Sequence, residues 1–229
     1  MEILPNIHLV PNVVANPYLL IDPDGLTLID AGLPGVSRKI LAYIASLGFT
    51  PKNLKRILIT HADFDHVAGL ADLQAASGAR VYASQIEAAA ILSGKPSRVI
   101  HPASLRRRIM MGVMSLFAKA GHVQVDEILH GGQVLPILGG LTVLETPGHT
   151  PGHLSFYVPA AAALFCGDSI VVDPEGNLHG SRQGLTWDDK AAAESVRSQA
   201  ALGAHTVCSG HGPVATNVTP EKFPLDYLG

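Results

Sequence analysis

The chain has 229 residues, 47% of them hydrophobic and only 15% charged, so its composition suits a large buried core and not a disordered chain. The formal net charge of −3 excludes the basic excess with which a general nucleic-acid binder neutralises phosphates. Two cysteines, Cys166 and Cys208, make no disulfide framework, so a reducing, cytoplasmic setting is expected.

In chain order, the opening MEILPNIHLV has no charged stretch followed by an apolar one, and no signal peptide is read. No apolar run approaches the roughly 20 residues that cross a bilayer, so no stable membrane insertion is expected. IHLVPNVV and PYLLIDPDGLTLIDAG hold apolar β-formers around Asp22-Pro23-Asp24-Gly25, a hairpin turn signal. VSRKILAYIASLG has helical spacing and ends at Gly48, which suits a C-cap. RILIT reads as a strand that runs straight into THADFDHVAG, residues 60–69. GLADLQAASG then reads as helix, RVYAS as strand and QIEAAAILSG as helix. Residues 95–122 are basic and Met-rich, with helical apolar spacing through Ile109, Val113 and Leu116, and predict a helical insertion. GLTVLETPG, HLSFYVP and AALFCGDSI follow as strands, AAAESVRSQAAL as helix, and TVCSGHGP as a last strand and turn. Strand runs with helices before and after suit helices covering strand-rich layers in one α/β unit over residues 1–229.

Four stretches share a grammar. HADFDH crowds His61, Asp63, Asp65 and His66 just after a strand, with Gly69 close behind. TPGHTPGH sets His149, FCGDS sets Asp168 and SGHGP sets His211, each at a strand end beside glycine. Singly, a histidine beside glycine is most often a turn or surface residue, and an aspartate after a strand a helix N-cap. Repeated four times in one chain, the pattern points to metal ligands carried on loops where backbone passes close to the ion.

With LIDAG (28–32), these pieces closely resemble the motifs of the metallo-β-lactamase-fold superfamily, over nearly the whole chain. The resemblance implies an α/β chain of the α+β four-layer type. Its fold would be an αββα sandwich, two β-sheets flanked by helices, with metals at one edge between them. It implies one ion on His61, Asp63 and His149, a second on Asp65, His66 and His211, and Asp168 bridging the two. Asp30 would support the metal loop without binding metal.

The commonest family motif is HxHxDH, and here Asp63 replaces its second histidine, giving the HxDxDH form. The carboxylate adds a negative charge and a harder donor, so the expected cofactors are two divalent ions, zinc first, with manganese or iron as alternatives. Asp63 and Asp168 both argue against a zinc β-lactamase; those with cysteine ligation carry Cys where Asp168 stands. Cys166 is expected to pack on its strand.

The resemblance implies a dinuclear metallohydrolase that attacks a small-molecule ester, thioester or lactone through a metal-bridging hydroxide. Asp65 would serve both as ligand and as catalytic proton carrier. Glyoxalase II-like members carry an extra C-terminal helical region, lactonases a tyrosine shortly after the bridging Asp, and RNA-processing members an added arm. None of these is read here, where SIVVD follows FCGD. The alternatives from the same fold are a mononuclear iron persulfide dioxygenase and a phosphodiesterase. The expected partner is a small-molecule substrate, with a second copy of the chain as the candidate protein partner. Residues 104–120 can be a lid, a core helix or a dimer contact, and Arg106, Arg107 and Arg108 can attract an anionic substrate. Arg107, Met111, His179 and Arg182 are the candidate pocket residues. His8, His101, His122, His130, His179 and His205 otherwise read as surface or satisfied core residues, and His153 as hydrogen-bonded within its loop.

Overall fold

The structure, a computed structural model, describes residues 1–99, 123–182 and 184–226. Arg107, Met111 and most of the expected insertion, including the arginine run and the segment read as a lid or helix, lie outside the described residues.

The first sheet keeps chain order. β1 (Glu2–Leu4), β2 (Ile7–Leu9), β3 (Tyr18–Asp22) and β4 (Gly25–Ile29) form an antiparallel meander. Asp22 pairs with Gly25, so Pro23 and Asp24 are the two-residue turn that the sequence predicts. β5 (Leu54–Leu58), β6 (Arg80–Ala83) and β7 (Glu127–Ile128) then add in parallel. Parallel neighbours need crossovers. Helix α1 (Val36–Ser46) supplies the first; the short α2 (Phe64–Val67) and α3 (Leu70–Ser77) supply the second. α1 closes as expected, with Gly48 left-handed just beyond it. α4 (Gln85–Ser93) follows β6, its N-terminus capped by the Ser84 hydroxyl, which accepts from the Glu87 N–H.

The second sheet has the order β14–β11–β10–β9–β8. β8 (Val134–Leu135), β9 (Leu141–Glu145), β10 (Leu154–Val158) and β11 (Ala163–Gly167) are antiparallel neighbours. β14 (Thr206–Ser209) returns parallel to β11 after helix α5 (Asp189–Ala200). β12 (Ile170–Val172) and β13 (Leu178–Gly180) pair as a separate ribbon.

Side-chain alternation assigns the layers. In β3 to β5, Leu19, Leu28 and Ile57 join a core with Ile40 and Ile44 of α1 and Leu73 of α3. Their neighbours Tyr18, Leu20, Ile29 and Leu58 face the other way and pack with Leu154, Phe156 and Phe165 of the second sheet. Leu164 and Cys166 of β11 and Val207 of β14 point outward onto Val196 and Ala200 of α5. The period of two puts alternate residues of each strand into different cores, because both sheet faces are covered. Helices, sheet, sheet, helix is the expected four-layer αββα sandwich. Cys166 and Cys208 are buried free thiols, and Cys166 packs on its strand as read.

Candidate metal centre

β4, β5, β9, β11 and β14 each lead from their C-terminal ends into the loops that carry Asp30, His61, His149, Asp168 and His211. Asp65 and His66 ride on α2, immediately after the β5 loop.

Asp30 follows β4 in the left-handed region at φ 60 and is 2% exposed. One oxygen accepts the Thr60 N–H at 2.9 Å. The other accepts the Thr60 hydroxyl and lies 2.8 Å from His66 Nδ1. An ionised carboxylate only accepts, so Thr60 gives its single hydroxyl proton to Asp30 and must itself accept from His61 Nδ1, 2.9 Å away. One carboxylate therefore fixes the tautomers of two imidazoles, His66 directly and His61 through Thr60, and leaves each Nε2 facing inward without a proton partner.

Close backbone approach holds this loop. Gly69 N–H donates to the Gly32 carbonyl at 3.1 Å, and a Cβ on Gly69 would overlap the Ala31 carbonyl oxygen. On the opposite wall a Cβ on Gly210 would overlap Asp168 Oδ1 and come within 2.8 Å of His66 Cε1.

The seven predicted side chains come together. Ligand atoms of His61, Asp63 and His149 lie within 4.8 Å of one another, as do those of Asp65, His66 and His211. Asp168 stands between the groups. Its Oδ2 is 3.3 Å from His211 Nε2 and 3.7 Å from His149 Nε2, and its Oδ1 is 3.4 Å from His66 Nε2. His61, His66 and Asp168 form a third such group, all three buried. His61 Nε2, His66 Nε2 and Asp168 Oδ1 are buried without a hydrogen-bond partner. Leaving buried polar atoms unpaired costs about 1–3 kcal/mol each, so three converging on one spot fit a cation. Nitrogen and carboxylate oxygen together are the donor set of a borderline divalent metal.

The electrostatics match. Burial works against a charged His66, but Asp30 and Asp168 outweigh it and hold its pKa well above the ordinary histidine value. Burial would likewise keep Asp63 protonated, but His149, His61 and Arg98 outweigh it and hold its carboxyl well below the usual range.

His153 lies behind the cluster. Its Nε2 accepts the Asp168 N–H at 3.2 Å, and its Nδ1 is 2.9 Å from Thr146 Oγ1. Burial, reinforced by His61 and His149, keeps it neutral, well below the usual value. It thus bonds within the loop region, as read, and also braces Asp168. His179 is exposed and pairs with Asp173 at 2.8 Å; Arg182 is exposed. Among the described residues neither has a hydrogen bond or ion pair to the seven.

Besides Thr60, two participants are not marked in the sequence. Ser181 Oγ is 2.8 Å from His149 Nδ1 and orients that ring. Arg98, in the loop after α4, buries its guanidinium against Asp63: Nη1 donates to Oδ1 at 2.6 Å and Nη2 to Oδ2 at 2.8 Å. Its Nε donates to the Leu185 carbonyl at 3.0 Å, and Nη2 lies 3.3 Å from His149 Nε2. Glycine flanking marked the seven, whereas nothing local distinguishes one arginine inside a basic stretch.

Comparison with known proteins agrees with this geometry. Residues 10–211 match the family model described as Metallo-beta-lactamase superfamily. The chain is 32% identical over 219 residues to the probable metallo-hydrolase YqgX of Bacillus subtilis (strain 168), covering 94% of this chain and 93% of that protein. It is 28% identical over 187 residues to a hydroxyacylglutathione hydrolase of Rhodospirillum rubrum, covering 81% of this chain but only 58% of that relative. A metallo-beta-lactamase family protein of Thermus thermophilus superposes with a TM-score of 0.73 at 24% identity, over 96% of this chain and 78% of that one, a likeness of fold.

Proposed function

The chain belongs to the metallo-β-lactamase superfamily and is an enzyme of that superfamily of metallo-hydrolases; from that premise we propose a dinuclear hydrolase of small-molecule esters, thioesters or lactones. The observation that carries the reading is the convergence of unpartnered His61 Nε2, His66 Nε2 and Asp168 Oδ1 at the meeting point of two ligand triads. His61, Asp63 and His149 would hold one divalent ion, Asp65, His66 and His211 the other, with Asp168 shared; zinc suits the nitrogen-rich set best. Bound there, the ions would lower the pKa of water toward neutrality and polarise a carbonyl oxygen.

The chain's own groups do the rest. Asp30, directly and through Thr60, holds the Nδ1 sides of His66 and His61 and so aims the Nε2 atoms inward. Asp168, braced by His153, stays ionised between the triads, since His66 and His211 overcome the cost of its burial. Asp65 has the most open of the three cluster carboxylates, with 31% of its side chain exposed against 20% for Asp63 and 9% for Asp168. That exposure supports giving Asp65 the role of taking a proton from incoming water and returning it to the leaving group. Likeness to hydroxyacylglutathione hydrolases, thioester hydrolases by name, supports trying thioesters first. The chain spans about half the length of those relatives, so the acyl-group preference is carried by the proposal alone.

The test is a panel of thioesters, lactones and carboxylic esters assayed before and after dialysis against a chelator. Turnover of at least one class is expected, abolished by the chelator and restored by zinc. Turnover indifferent to the chelator would contradict the proposal.

A further inference from the structure

We propose that Arg98 sets the metal preference of the first site, by neutralising Asp63 and withdrawing one of its oxygens from the ion; this rests on the dinuclear reading above.

Charge is the first effect. Two imidazoles and a carboxylate carry one more negative charge than three imidazoles. Arg98 returns the balance with a guanidinium whose side chain is 2% exposed and lies against the Asp63 carboxylate. Among the described residues it is the only Lys or Arg side chain within hydrogen-bonding distance of the seven clustered residues.

Geometry adds a second effect. Asp63 Oδ2 is the oxygen that faces the imidazoles, 3.1 Å from His149 Nε2 and 3.7 Å from His61 Nε2. Oδ1 is engaged by Arg98 Nη1 at 2.6 Å. The second prong, Nη2, donates to Oδ2 at 2.8 Å, so the fork leaves an ion seated between the histidines only the remaining lone pair of Oδ2. Such a fork also fixes the carboxylate plane, which a lysine cannot do. The Nε bond to the Leu185 carbonyl anchors the guanidinium from behind. Leu185 lies two residues before Trp187, whose N–H donates to the carbonyls of Gly148 and His149. Arg98 thereby ties the loop preceding α5 to both Asp63 and the His149 loop.

The two effects act in one direction. With Arg98 present the site offers two nitrogens and one charge-compensated oxygen, a set that favours zinc. Without it Asp63 can offer both oxygens and a full negative charge, as Mn²⁺ prefers. A merely structural salt bridge would alter stability without changing the order of metals.

The experiment measures Zn²⁺ and Mn²⁺ affinities of the full chain by chelator competition, with manganese EPR as a direct signal for the first site. The variants are R98M, R98K, D63H and D63H/R98M, with circular dichroism to confirm folding. R98M should lower the zinc-to-manganese affinity ratio of the first site by about tenfold or more, the scale on which groups behind a ligand act. R98K, which keeps the charge but not the fork, should shift it less, and it carries the test if R98M does not fold. D63H should lose the first ion, because an unpaired guanidinium then faces a site of imidazoles, and D63H/R98M should regain it. An unchanged ratio in folded R98M or R98K, or a double variant no better than D63H, overturns the role of Arg98. Wild-type protein that takes up no metal overturns the dinuclear reading and this inference with it, so the two failures are distinguishable.

Discussion

At the scale of single residues, the site is governed by who may hold a proton. Asp30 never reaches the cluster centre, yet it sets both His61 and His66. Asp30→Asn offers one accepting oxygen instead of two, so Thr60 or His66 must turn. Zinc affinity should fall about 10–100-fold with little change in fold, read by competition with a chromophoric chelator. An affinity equal to wild type would mean the hydrogen-bond chain does not orient the ligands. Asp65→Asn should keep the fold and lower turnover about 10²–10⁴-fold; full activity in that variant would remove Asp65 from the proton path. The seven proposed ligands were legible in the sequence because each sits in a glycine-flanked stretch at a strand end. Arg98, Thr60 and Ser181 were not. They act through contacts, and Arg98 is 35 residues from Asp63 while Ser181 is 32 from His149. No local pattern marks such a partner.

At the scale of elements, strand C-termini deliver the chemistry and glycines let the loops close. Gly210→Ala puts a methyl group into Asp168 Oδ1 and His66, so metal uptake should drop sharply while the far-ultraviolet circular dichroism stays near wild type. Normal metal uptake in that variant would show that the wall yields. The same scale explains which elements the sequence disclosed. The β3–β4 hairpin, α1, α3, α4, α5 and the strands of five residues carry turn signals or periodicity. β7 and β8 have two residues each and α2 has four, too few for either period to register. The β12–β13 ribbon is absent from the sequence reading, which ends a strand at Ile170 and assigns no element before the helix of AAAESVRSQAAL.

At the scale of the whole molecule, two sheets pack through a shared core, and loops at their strand ends hold the cluster. Phe156 is fully buried between the sheets, and Phe156→Ala should cost about 3–5 kcal/mol in denaturant unfolding of the metal-free protein. A loss below about 1 kcal/mol would place little of the stability in that layer. Among the described residues no helix is long and apolar enough to cross a membrane. The layers were legible because strand alternation and flanking helices leave few architectures. The pairing of the two triads was legible through the resemblance, since spacing alone cannot say which distant loops meet. The most direct test of two filled triads is elemental analysis of the purified chain, expressed without added metal. About two divalent ions per chain, zinc foremost, is the predicted result, since both triads would be filled. One ion or none per chain after reconstitution with excess zinc would contradict it.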